Sequence, residues 1–129
     1  MNKILVEVSV GELLDKVSIL EIKKEKIKDP EKLNFINDEH AILKDQLDQN
    51  VKYDNELNNL FQSLKEINTK LWVIEDDKRM CEKNSDFTEN FIELSRKVHF
   101  LNDDRAKIKL KINDHTGSKI KEIKEYTAY

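Results

Sequence analysis

The sequence has little of what a sheet protein or a disulfide-stapled scaffold needs. Its 129 residues include 2 glycines and 1 proline. Tight turns draw on these residues, so their scarcity argues against a turn-rich β fold and for a few long elements. The single cysteine, Cys81, leaves no internal disulfide and fits a reducing compartment. No stretch approaches the roughly 20 apolar residues of a membrane-spanning helix. The opening run from Met1 is too short for a secretory signal and is interrupted at Glu7. The expected location is therefore cytoplasmic, with no membrane contact. Basic excess is also missing: 26 acids against 23 bases give a net charge of −3. The aromatics are not interleaved with Arg or Lys, and nucleic acid is not an expected partner. There is no CxxC, HExxH, P-loop or glycine-rich dinucleotide turn. No cofactor is required by the sequence, and no motif specifies a metal site.

What the sequence does have is charge and helical periodicity. Charged residues make up 38% of the chain and apolar residues another 38%. Each helix can then carry one apolar stripe, and the core will be thin. A shared stripe between two copies would bury more, so a homodimer is favoured over a monomer.

Lys3 to Val8 alternates like a short strand without a partner in the chain, and residues 1–8 are read as an extended arm that either pairs with its copy in a dimer or packs on the bundle. Ser9 and Glu12 form a capping-box pattern that opens a first helix running to about Lys28. Asp29-Pro30 ends it and starts the second, to about Gln49, with Asp29 as N-cap. A third helix spans about Asp54 to Lys83, with a heptad seam of Leu57, Leu60, Leu64, Ile67, Leu71, Ile74, Lys78 and Cys81. Asp86 and Glu89 repeat the capping-box pattern before a fourth helix, about Phe87 to Asp114. Gly117 suits a helix stop, and Ser118 a cap for a short tail helix over 118–126. The expected fold is one all-α domain over 1–129, a bundle of four long antiparallel helices joined as hairpins, with the arm and the tail helix at its ends.

Three polar clusters stand out. Trp72, Glu75, Asp76 and Arg79 share one face of the third helix, and Glu75 and Arg79 can pair along it. The plain reading is a surface ion pair beside a half-buried tryptophan; the sharper one is the wall of a site for a polar ligand or a divalent cation. On the fourth helix Arg96, His99 and Asp103 share a face. Asn102 and Arg105 fall near the seam, where an arginine needs a partner, and the third-helix carboxylates are candidates. On the first helix Glu12, Asp15 and Lys16 cluster near the cap, with Glu12 and Lys16 an ordinary i,i+4 pair by default. His40 lies on the second helix's apolar stripe, where a hydrogen-bonded boundary histidine is commoner than a ligand.

These motifs carry a family resemblance. Gly11 to Lys23, Leu71-Trp72 with Ile74 to Asp77, Phe91 to Leu94 with Arg96, Asn102-Asp103, Arg105-Ala106, Ile112-Asn113 and Gly117-Ser118 with Tyr126 together resemble an uncharacterised family of small bacterial and phage proteins. Ser95, His99 and Lys78 depart from the residues usual there. The resemblance implies no activity. Members similar to this chain are linked to carbohydrate-modifying proteins, which implies a setting in cell-surface sugar metabolism.

Two functions are weighed. The favoured one is a non-catalytic helical module that binds a partner protein or its own copy. The alternative is an enzyme or small-ligand binder for an anionic substrate, a nucleotide or sugar phosphate, with or without a divalent metal. Glu12-x-x-Asp15 and Glu122-x-x-Glu125 superficially suit such a metal, but pairs of this kind arise easily among 26 acids.

Overall fold

A computed structural model describes residues 2–129. Met1, the first residue of the expected arm, lies outside the described residues. Four helices follow in order: α1 Val10–Lys26, α2 Pro30–Asn50, α3 Asn55–Lys83 and α4 Glu89–Thr116. They run up, down, up and down, so the expected all-α bundle is what forms. No strand forms among the described residues, and residues 2–8 are exposed.

The cap signals mostly do what the sequence implies. Ser9 Oγ accepts from the Glu12 N–H at 3.1 Å, Asp29 accepts from Glu31 at 3.0 Å with Pro30 at the helix start, and Asp54 accepts from Leu57 at 2.8 Å. The second capping box does not form. Asp86 turns onto Thr88, accepting from its N–H and hydroxyl, and α4 begins at Glu89 with Thr88 as N-cap. Gly117 does stop α4, with φ +66° in the left-handed region that favours glycine.

The expected tail helix over 118–126 is absent; the chain beyond Ser118 is irregular. Ser118 is already committed. Its hydroxyl accepts from the Val10 N–H at 3.2 Å and donates to the Ile120 carbonyl at 2.7 Å, so it caps α1 instead. The tail then folds back along α4 through Glu122 to Lys109, Lys121 to Asp114, and Tyr129 to Asp103.

α1 is the hub. It packs against each of the other helices, while α2 touches α1 alone. The central core cluster is Leu14 and Val17 of α1, Leu47 of α2, Leu57 and Leu64 of α3 and Ile112 of α4, and Ile22 of α1 is buried as deeply. The α3 seam alternates buried Leu57, Leu64, Leu71 and Cys81 with half-buried Leu60, Ile67, Ile74 and Lys78. At about 1.5 Å per residue, α3 and α4 are each over 40 Å long and α1 about 25 Å. The closed end of the α3/α4 hairpin therefore projects beyond α1. α1 fills only one of the hairpin's two grooves.

Candidate functional site

α1 approaches α4 so closely that a side chain on Gly11 has no room. A Cβ there would meet the Lys109 carbonyl oxygen at 2.6 Å and Asn113 Oδ1 at 3.0 Å. The Gly11 N–H uses the approach by donating to Asn113 Oδ1 at 2.7 Å. Val10, Gly11 and Glu12 are thus capped by Ser118, Asn113 and Ser9 in turn. Three donors that a helix start leaves unmade are filled from both ends of the chain.

One turn on, Asp15 is buried, 1% exposed. A carboxylate there is tolerated only with donors around it. Arg105 supplies a fork: its Nε donates to Asp15 Oδ1 at 3.0 Å and its Nη2 to Oδ2. Asn68 Nδ2 donates to Asp15 Oδ1 and to Ser18 Oγ, each at 2.8 Å, and the Ser18 hydroxyl donates to the Asp15 carbonyl at 2.7 Å. The hydrogen bond to Asp15, with its charge, holds the Arg105 guanidinium above its usual pKa against the opposing effect of burial. The partner of this seam arginine is therefore a first-helix aspartate, not the third-helix carboxylates. Asn102 Oδ1 sits at 3.5 Å from Arg105 Nη1, at the margin of the same group.

Beside this group, Lys109 points its ammonium at three carboxylates. Nζ lies 2.7 Å from Glu12, 2.7 Å from Glu122 and 4.0 Å from Asp15. Burial pulls the Lys109 pKa down, but hydrogen bonds to Glu12 and Glu122 and the charge of Asp15 outweigh it, and the net direction is up. Glu122 is held below its usual value by the bond from Lys109. Three of the four acids whose spacing suggested a metal, Glu12, Asp15 and Glu122, thus converge, but around an ammonium, and Glu125 stays exposed outside the group. Among the described residues, no group of three or more His, Cys, Asp or Glu is arranged to hold a metal ion. No buried side-chain polar atom among them lacks a partner.

The third-helix face behaves differently. Trp72 is half-buried and Glu75, Asp76 and Arg79 are exposed; they line a groove of about 340 Å³ with Ile19, Ile22, Asn68, Leu71 and Arg105. The expected Glu75–Arg79 pair does not form, and Glu75, Asp76 and Arg79 make no ion pair among the described residues. Lys16 is exposed and does not pair with Glu12, which has turned to Lys109. Arg96 pairs with Glu93 at 3.2 Å on an exposed face, and Asp103 accepts from Tyr129. His40 bridges helices, taking a hydrogen bond from Lys24 Nζ at 3.0 Å on Nδ1 and facing Glu21 at 3.4 Å with Nε2. That makes it a boundary residue.

The sequence candidates therefore split. Glu12, Asp15 and Arg105 join one network with Asn102 at its edge, Trp72, Glu75, Asp76 and Arg79 rim the adjoining groove, and Lys16, Arg96 and Asp103 stand outside both. Asn68, Lys109 and Asn113 were missed, though each had a signal: Asn68 lies four residues after Leu64 and three before Leu71, and Lys109 and Asn113 continue the Arg105 face in steps of four. Glu122 stood out only for its spacing to Glu125; nothing in the sequence tied it to Lys109, because only the irregular tail brings the two together.

A family model described as a family of unknown function (DUF6165) matches residues 4–129. No curated protein and no solved structure matches the chain.

Proposed function

We propose a non-catalytic role in helix–helix recognition for this chain, which belongs to the family of unknown function DUF6165. One contrast carries the reading. The buried charges are spent on each other, whereas an apolar groove on the α3/α4 hairpin, opposite α1, is left open. Asp15, Arg105, Asn68 and Lys109 hold α1 in register between α3 and α4, and their charges are committed to ion pairs with one another and with Glu12 and Glu122. The open groove has the shape and lining that a further helix fills in a bundle. The buried, lone Cys81 supports a reducing, cytoplasmic setting. No described helix is long and apolar enough to cross a membrane.

The test is a photo-crosslinking residue placed at Val73 or Phe100 in the full chain, with exposed Glu39 of α2 as control. Crosslinks to a helical protein surface are expected from 73 and 100 and not from 39. Equal or absent crosslinking at all three sites would overturn the reading.

A second reading has its own observation: Trp72 beside unpaired Glu75, Asp76 and Arg79 on the smaller groove. A small polar ligand with anionic groups would place them on Arg79 and its flat apolar part on Trp72. A thermal-shift screen with divalent ions, nucleotides and sugar phosphates tests it. A rise that disappears in Trp72→Ala and Arg79→Ala supports this reading, and no shift in any condition retires it.

A further inference from the structure

The open groove between α3 and α4 has a volume of about 540 Å³, a floor of Thr69, Val73, Ile74, Phe100 and Leu101, and Lys70 and Lys97 at its edges. Val73 is 46% exposed and Phe100 41%, which is unusual for large side chains at the centre of a helical hairpin. The charges around the groove say what fits it. Lys70 and Asp77 stand seven residues apart on α3, and Lys97 and Asp104 seven apart on α4. Seven residues are two turns, so each pair shares a face. All four are exposed, and none forms an ion pair among the described residues.

The register of the antiparallel hairpin is fixed at two points. Asn90 lies 3.6 Å from Cys81 Sγ, and Asn68 and Arg105 share Asp15 Oδ1. Val73 is therefore level with Phe100. Lys70 and Asp104 flank one end of the apolar patch, and Asp77 and Lys97 the other. The four charges form a checkerboard about the patch. Turning this face onto itself about a two-fold axis across the helices sets Lys70 against Asp77 of a second copy and Lys97 against its Asp104. An axis along the helices sets Lys70 against its Asp104 and Asp77 against its Lys97. Either way lysine meets aspartate and Val73 and Phe100 come together at the centre. A two-fold interface requires this self-complementarity, and an unrelated partner does not.

We infer that the α3/α4 face opposite α1 is a homodimer interface, in which two hairpins close a four-helix core with α1 on each outer side. This deepens the helix-recognition reading and rests on it.

The test is sedimentation equilibrium of the full chain over a range of concentrations, with circular dichroism to confirm that each variant is folded. The wild type is expected at twice its 15.3 kDa mass. Phe100→Asp and Lys70→Glu should each weaken association at least about tenfold, the scale of a lost contact of 1.4 kcal/mol. Adding Asp77→Lys to Lys70→Glu restores it for the axis across the helices. Adding Asp104→Lys restores it for the axis along them. Restoration by either supports the interface. A wild type that is monomeric throughout, a dimer indifferent to Phe100→Asp, or failure of both restorations overturns it. A monomer that still crosslinks from Phe100 to another helical protein overturns the second copy as partner and leaves helix recognition standing.

Discussion

Replacing Arg105 with methionine removes the guanidinium from a carboxylate that has almost no access to water. The Asp15 side chain is 2% exposed and that of Arg105 28%. Breaking a buried ion pair by deleting one partner costs about 3–5 kcal/mol, because the remaining charge is stranded. Two features place this case at the lower end. The guanidinium is partly wet, so some of the attraction is already screened. Lys109 Nζ, 4.0 Å from Asp15, and Asn68 remain to face the carboxylate. The expected loss is therefore about 3 kcal/mol in urea unfolding, with the midpoint lowered and the slope unchanged. Trp72, the one tryptophan, lines the groove beside Arg105 and reports the transition. Asp15→Asn in the same background removes the stranded charge. The double variant should recover about 1–2 kcal/mol relative to the sum of the single losses. A loss below about 0.5 kcal/mol for Arg105→Met, the range of an ordinary surface change, or strict additivity in the double variant, would refute the argument that this pair locks α1 onto α4.

Other outcomes follow from the same contacts. Gly11→Ala forces a Cβ into the Lys109 carbonyl and should cost about 1–3 kcal/mol in the same unfolding assay. Leu64→Ala, emptying a fully buried site at the α1/α3 contact, should cost about 2–5 kcal/mol. The lowered Glu122 pKa means that its contribution is present above its unfolded value of 4.5 and lost as pH falls through the folded value. Protection of the tail amides, taken as intrinsic over observed exchange rate at each pH, should therefore fall at acid pH before the helices unfold, and Glu122→Gln should abolish that fall in protection. Lys109, with its pKa raised, contributes fully below 10.5 and loses that contribution as pH rises through its folded value. Lys109→Met should flatten the alkaline side of the stability profile.

Much of the architecture was legible because it rests on local chemistry. Scarce glycine and proline, the Ser9, Asp29 and Asp54 caps and the Leu57 to Cys81 seam act within a few residues of chain, and helices form where these signals place them. The sequence by itself therefore determined that the protein is four long helices with thin apolar stripes, and it singled out Arg105 as a charge needing a partner. It could not say that the partner is Asp15. Asp15 and Arg105 are 90 residues apart, and their pairing depends on how α1 lies in the α3/α4 groove. Glu75 and Arg79 satisfied the i,i+4 rule and stay apart, since on an exposed face such a pair is worth only a few tenths of a kcal/mol, roughly 0.3–0.5. Ser118 looked like the start of a helix and is the cap of another, because tertiary packing brought the Val10 N–H to it first. The tertiary structure alone decided that one groove of the hairpin is filled and sealed by mutually compensated charge while the opposite one stays apolar and open. The physical reason is that burial belongs to faces, and which face is buried is settled by the helix that docks there.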